Sequence, residues 1–123
     1  MRKLKVLDCT LRDGGYCNQW KFEKQNIYKI ISNLLESGVD IIECGFLTNR
    51  IEYDENISKF TKVEQVSAFL PVDRNGCTFV VMMNYGEYSL EDLPYHTSKM
   101  IDGIRVAFHK KNLIPALEIC EGI

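Results

Sequence analysis

The sequence has few of the residues that disulfide-rich or zinc-binding proteins need. Its five cysteines are an odd number, and no two of them form a CxxC pair. A disulfide framework or a zinc knuckle requires closer, paired spacing, so we expect reduced, structural cysteines. Histidines number two, His96 and His109, and prolines three.

Long apolar runs and clusters of positive charge are also missing. The longest apolar stretches fall far below the roughly 18 residues of a membrane span. The amino terminus reaches Asp8 too early for a secretory signal. Lys and Arg are scattered and the net charge is −2, which argues against a nucleic-acid partner. We therefore expect a cytoplasmic protein that binds neither membranes nor nucleic acid.

What remains is the pattern of an ordinary α/β domain. The 123 residues are 46% hydrophobic and 26% charged, which suits a single domain over residues 1–123. Apolar runs predict strands, and i, i+3, i+4 spacing predicts helices between them. The predicted strands cover 4–10, 39–46, 77–84 and 101–108. The predicted helices cover 27–35, 63–70, 89–100 and 112 to the end, and 48–56 is a loop.

Strands that alternate with helices pair in parallel through right-handed crossovers. The predicted strands begin about 32 residues apart, which is the repeat length of a (β/α) barrel. An eight-unit barrel needs roughly 250 residues, and this chain has four units. The predicted fold is therefore α/β, a parallel (βα)4 half of a TIM barrel.

The most informative segment is 7–15, in which an apolar strand runs into Arg12, Asp13, Gly14 and Gly15. Parallel α/β folds place reacting groups where such strands end. Asp13 offers an oxygen ligand for a divalent cation, and Arg12 offers a planar cation for a carboxylate or an enolate oxygen. The glycines would let the backbone turn sharply and approach a bound anion.

Two further charges interrupt predicted strands. Glu43 lies in the second strand, where an unpaired buried carboxylate would be costly. It could orient Arg12, act on a substrate, or pair structurally with Arg105, which interrupts the fourth strand. Asp8 is left open between a hydrogen-bonding role inside the barrel and a role in the site. The aromatic residues after the glycines, Tyr16, Trp20 and Phe22, could cover the site or pack against the barrel.

The run Asp8-Cys9-Thr10-Leu11-Arg12-Asp13-Gly14-Gly15 resembles the D-x-T-L-R-D-G signature of the DRE-TIM metallolyases. Segment 41–46 is similar to that superfamily's I-E-x-G-F strand, and 102–109 to the fourth strand of its 4-hydroxy-2-oxovalerate aldolase-like branch. The resemblance covers the whole chain but only the amino-terminal half of the family's barrel, so we expect a truncated domain or a split gene product.

The resemblance implies a metal-dependent carbon–carbon lyase that cleaves a 4-hydroxy-2-oxo acid to pyruvate and an aldehyde. Asp13 would bind the metal (Mn²⁺, Mg²⁺ or Co²⁺), and Arg12 would hold the pyruvate enolate. Gly14 and Arg105 would contact substrate, while Glu43 or Tyr16 would assist proton transfer. Tyr16 stands where the aldolase branch has a histidine, and a phenol is a poor base at neutral pH.

Other implications follow from the same family. Its remaining metal ligands come from an H-x-H motif that this sequence lacks, so we expect the chain alone to be inactive and its metal site empty. A homo-oligomer and a dehydrogenase partner of the full-length form are further expectations. Two alternatives stay open: acetyl-CoA-dependent Claisen condensation with a 2-oxo acid, as in the isopropylmalate synthases, and a non-catalytic interaction or scaffold fragment.

Overall fold

The computed structural model describes residues 3–123. Within this range the chain forms a parallel five-stranded sheet with helices on one face. The strands are β1 (Leu7–Asp8), β2 (Ile41–Leu47), β3 (Lys59–Phe60), β4 (Thr78–Asn84) and β5 (Gly103–Ala107). The helices are α1 (Thr10–Asp13), α2 (Lys24–Glu36), α3 (Val63–Ser67) and α4 (Leu113–Gly122). The expected α/β fold with a parallel half-barrel sheet is confirmed.

The sheet has the order β1-β2-β4-β5, with β3 paired to β2. Because β4 occupies one edge of β2, β1 and β3 share the other edge. Leu7 pairs with Ile41 near the start of β2, and Lys59 pairs with Phe46 near its end. Gly45 lies between them at φ +149°, and a Cβ there would lie 2.1 Å from the carbonyl oxygen of Ser58. Only glycine allows this close approach without strain.

The hydrophobic core lies between the sheet and the helices. Strand alternation sends Ile42 and Cys44 of β2 and Phe79 and Val81 of β4 to the helix side, where all four are fully buried. On α2, Ile27 and the other apolar residues at helical spacing pack into the same core. The opposite face of the sheet carries Glu43 and Arg105, which places the charged residues on what would be the inside of a barrel.

Two predicted elements were wrong in extent or type. The first strand has only Leu7–Asp8 of the predicted 4–10. It ends at Asp8 because the Asp8 carboxylate accepts hydrogen bonds from the N–H and the hydroxyl of Thr10, at 2.9 and 3.0 Å. These hydrogen bonds form a turn that leads from β1 into α1, so Asp8 stabilises this turn. The predicted helix at 89–100 is a single 3₁₀ turn, Leu90–Asp92, because Pro94 leaves too few residues for a helix.

The predicted loop at 48–56 is followed by a strand that the sequence reasoning missed. β3 has two residues, which is too short to produce a recognisable alternation. Within residues 3–123, none of the helices combines the length and the apolar character needed to cross a membrane.

Candidate functional site

Arg12 is placed by the short helix that follows β1. The turn at Asp8 carries the chain away from the sheet, and the hydroxyl of Ser58 donates to the carbonyl of Leu11 at 2.6 Å. The indole N–H of Trp20 donates to the carbonyl of Arg12, also at 2.6 Å. The backbone around Arg12 is therefore fixed from two sides, and its side chain points toward β2.

Glu43 is the centre of the site. Its side chain is fully buried and lies on the face of the sheet that carries the charged residues. One carboxylate oxygen accepts from Nε of Arg12 at 2.5 Å, and the other accepts from Nη1 of Arg105 at 2.7 Å. Both proposed partners of this carboxylate are thus present at once. One buried anion thus holds two guanidinium groups, that of Arg12 on α1, which follows edge strand β1, and that of Arg105 on edge strand β5.

The two arginines differ in how much they present to solvent. The Arg12 side chain is 16% exposed, and the Arg105 side chain is 42% exposed. Within residues 3–123, Nη2 of Arg12 and both Nε and Nη2 of Arg105 make no hydrogen bond to protein. These donors are available to an anionic ligand, and a planar guanidinium suits a carboxylate.

Burial and charge act on Arg12 in opposite directions. Burial disfavours its cation, but the hydrogen bond and attraction to Glu43 outweigh burial and raise its pKa. The neighbouring Cys9 has a raised pKa because it is partly buried and faces the negative charge of Glu43. Arg12 therefore stays charged, and Cys9 stays a neutral thiol at neutral pH.

Asp13 lies at the rim of this cluster. Its side chain is 68% exposed and accepts from Nη1 of Arg12 at 3.0 Å. The structure thus brings together four of the predicted site residues, namely Arg12, Asp13, Glu43 and Arg105.

These residues do not make a metal centre by themselves. A divalent cation needs several oxygen or nitrogen ligands, and residues 3–123 contain no group of three His, Cys, Asp or Glu side chains placed to bind one. Asp13 is a single exposed carboxylate, and both oxygens of Glu43 are occupied by arginines. The histidines do not help, because His96 contacts the carbonyl of Ile101 and His109 is exposed after β5.

The two glycines after Asp13 have different roles. Gly14 has φ −61°, and a Cβ there would meet its nearest neighbours at an ordinary 3.8 Å. A Cβ on Gly15 would lie 2.0 Å from Cδ1 of Trp20. Neither glycine has a positive φ, so the backbone here does not require the conformational freedom of glycine, and Gly15 makes room for the indole ring.

Tyr16 makes no hydrogen bond to the arginine cluster. Its exposed ring packs edge-on against Trp20, with centroids 4.7 Å apart. Both rings line a recess of about 300 Å³ at the end of β2 and β4. The recess also contains two cations that the sequence reasoning missed, Lys59 and Arg50. No periodicity in the sequence could have indicated Lys59, because Ile57-Ser58-Lys59-Phe60 does not alternate.

Comparison with known proteins supports an aldolase-like origin. No family model matches the chain. A 4-hydroxy-2-oxovalerate aldolase from Geobacillus genomosp. 3 is 40% identical over 40 residues, which is 32% of this chain and 12% of that protein. A crystal structure of the N-terminal domain of a candidate aldolase from Bacteroides vulgatus matches 97% of this chain at 28% identity, with a TM-score of 0.62.

The chain covers 40% of the length of the Bacteroides protein, so it corresponds to a part of these larger molecules. The sequence match and the fold match point to the same group of proteins. In sequence and in fold, this chain resembles the amino-terminal half of the barrel in the 4-hydroxy-2-oxovalerate aldolase-like branch of the DRE-TIM metallolyases.

Proposed function

We propose that this chain forms the amino-terminal half of the catalytic barrel of a divalent-metal-dependent aldolase. The enzyme would cleave a 4-hydroxy-2-oxo acid to pyruvate and an aldehyde. The observation that carries the proposal is the fully buried Glu43, which holds Arg12 and Arg105 side by side at the charged face of a parallel sheet. Burying a carboxylate is costly, and here it fixes two cations whose remaining donors make no hydrogen bond to protein within residues 3–123.

The arginines would stabilise the charge that develops during cleavage. In an aldol cleavage a base removes the proton of the C4 hydroxyl, the C3–C4 bond breaks, and the aldehyde carbonyl forms. The bonding electrons move into the enolate of pyruvate, which is then protonated at C3. Arg12 is placed to bind the enolate or the adjacent carboxylate, and a preorganised cation lowers the barrier most where new charge appears.

Glu43 is better suited to orienting than to proton transfer. Both of its oxygens accept hydrogen bonds from arginines, so neither is free for a substrate proton. Tyr16 stays the candidate for proton relay, because its hydroxyl belongs to an exposed ring beside the recess. We place Gly14 beside the substrate carboxylate, since its backbone follows Asp13 directly.

The metal and the protein partners are part of the same proposal. Asp13 would supply one oxygen ligand, and residues 3–123 do not supply the others. The substrate would be a small 2-oxo acid, and the assembly would be a homo-oligomer with a dehydrogenase partner.

All five cysteines are free thiols, which supports a reducing, cytoplasmic location.

Pyruvate binding to this chain tests the arginine site directly. In NMR spectra of the arginine Nε–H groups, pyruvate should shift the Arg12 and Arg105 signals saturably, and pyruvamide, which lacks the carboxylate, should not. Arg12→Gln should abolish the shift, while Lys29→Gln, an exposed lysine on α2, should leave it unchanged. Equal shifts with pyruvamide, or no shift with either compound, would contradict the proposal.

The reaction itself can be followed in the enzyme with a complete barrel. The enolate step predicts deuterium incorporation into the methyl group of pyruvate in D₂O, dependent on Mn²⁺ or Mg²⁺ and lost in Arg12→Gln. Release of free coenzyme A thiol from acetyl-CoA would instead favour the Claisen condensation.

A second candidate function rests on a separate observation. Helix α4 exposes Leu113, Ile114 and Leu117, which at this spacing lie near one another on its surface. Together with the open edges of β1 and β5, this apolar surface favours an interaction role, which a self-association measurement tests.

A further inference from the structure

The recess at the end of β2 contains an ammonium group without an acidic partner. Lys59 Nζ lies 3.7 Å from the centroid of the Trp20 ring and 5.9 Å from that of Phe46. Among the described residues, no carboxylate lies within ion-pair distance of it. The charge of the other cation in the recess, Arg50, is neutralised by Glu87, since Nη1 of Arg50 lies 3.5 Å from Oε1 of Glu87. The recess therefore carries one uncompensated positive charge.

The aromatic support of Lys59 is itself held rigidly. The Trp20 indole donates to the carbonyl of Arg12 and fills the space that Gly15 leaves open. β3 pairing places Lys59 directly beside Phe46, so the backbone of the lysine is fixed as well. A cation over an aromatic face gains electrostatic energy without losing its N–H donors, so Lys59 can still bind an anion.

Phe46 connects this recess to the arginine site. Cζ of Arg12 lies 6.0 Å from the Phe46 ring centroid, and Nζ of Lys59 lies 5.9 Å from the same centroid. Both cations therefore border the same ring, and a molecule that spans this ring would contact both. Thr48 and Asn84 add hydroxyl and amide groups to the recess wall.

We propose that the recess binds an anionic group, a carboxylate or a phosphate, at the end of the substrate distant from its 2-oxo acid. The aldehyde half of the substrate would then carry a negative charge. This rests on the proposed function for the 2-oxo acid end, whereas the anion site at Lys59 stands on its own geometry. Lys59 is the specificity-determining residue, and Trp20 holds it in place.

Trp20 is the single tryptophan of the chain, so its fluorescence reports on Lys59 directly. Inorganic phosphate and acetate, titrated separately in the millimolar range, represent the two candidate anions. At least one should change the fluorescence saturably in the wild type and in Lys29→Gln, and neither should do so in Lys59→Gln. The two variants remove the same charge, and circular dichroism shows whether both remain folded. No saturable change in the wild type with either anion would overturn the proposal.

A pair of 2-oxo acids of equal chain length then tests the link to the arginines. 2-Oxoadipate ends in a carboxylate and 2-oxohexanoate in a methyl group. Wild type should bind 2-oxoadipate about tenfold more tightly, since a charge-assisted hydrogen bond contributes this much, and Lys59→Gln should lose the difference. Equal binding of the two acids would refute the distal site and leave the aldolase proposal intact. A response to simple anions without binding of either 2-oxo acid would refute the aldolase proposal and leave the anion site.

Discussion

At the scale of single residues, the site depends on the electrostatic balance around Glu43. Two guanidinium groups close to each other repel, and the buried carboxylate between them compensates. Solvent screens the charges of the partly exposed arginines, but it does not reach the fully buried carboxylate of Glu43. Removal of this carboxylate therefore affects both the fold and the position of Arg12.

Glu43→Gln should destabilise the protein by about 3 kcal/mol, since a buried charge pair is broken and two cations lose their anion. Denaturant unfolding followed by circular dichroism measures the change. Glu118→Gln, on the exposed surface of α4, removes the same charge and should stay within about 0.5 kcal/mol of wild type. Similar stability of the two variants would show that Glu43 is not the electrostatic centre.

The cysteines provide a second prediction at this scale. Thiolate is the reactive form, and burial raises the pKa of Cys9, Cys44 and Cys77. At pH 8, iodoacetamide should therefore modify the exposed Cys17 and Cys120 first, then Cys9, and the buried Cys44 last. Mass spectrometry of tryptic peptides gives each rate. Early labelling of Cys9 would contradict its burial beside Glu43 in solution.

At the scale of elements, the turn after β1 explains why two adjacent glycines differ. Gly14 has ordinary helical angles and open surroundings, whereas Gly15 lies against the face of Trp20. The indole in turn anchors Arg12 and supports Lys59. One missing side chain at position 15 thus determines the geometry of both the arginine site and the recess.

Alanine at these two positions gives a matched pair of variants. Gly15→Ala should destabilise the protein by about 1–3 kcal/mol, because its Cβ would overlap the indole. Gly14→Ala should be neutral or slightly stabilising, since alanine fits the helical angles and restricts the unfolded chain. Thermal unfolding and the emission maximum of Trp20 report the two effects. Equal losses in both variants would contradict this assignment.

The sequence predicts the long elements well and the site only in part. β2, β4 and β5 are mostly apolar, and α2 has clear helical spacing, so the sequence pattern located all four. Glu43 and Arg105 were found because charges interrupt those runs. Lys59 was missed because β3 is short and because its contact with Trp20 joins residues distant in sequence. Such contacts depend on tertiary packing, which periodicity does not encode.

At the scale of the whole molecule, the sheet formed by residues 3–123 ends in two open edges. β1 has a neighbour on one side, β2, and β5 likewise has β4. Unpaired strand edges and exposed apolar side chains favour association with another chain. The exposed apolar residues lie on α4, the helix that follows β5 in the chain, and these two elements are the candidate contact surfaces.

Sedimentation velocity over a concentration series should show self-association in the micromolar range. The double variant Ile114→Lys/Leu117→Lys should shift the protein toward monomer, because lysine in an apolar contact must be desolvated. Glu121→Lys, exposed on the same helix, is the control for added charge and should associate like wild type. A wild-type monomer at high micromolar concentration would exclude the proposed contact.

The division of one edge of β2 between β1 and β3 has a mechanical consequence. The hydroxyl of Ser58 anchors the segment before Arg12, and its carbonyl accepts the N–H of Phe46. A shift of this one serine would displace the guanidinium on one side and the ammonium-bearing strand on the other. Binding of one end of a long ligand would therefore shift the residues that bind its other end, because both groups of residues are held by Ser58.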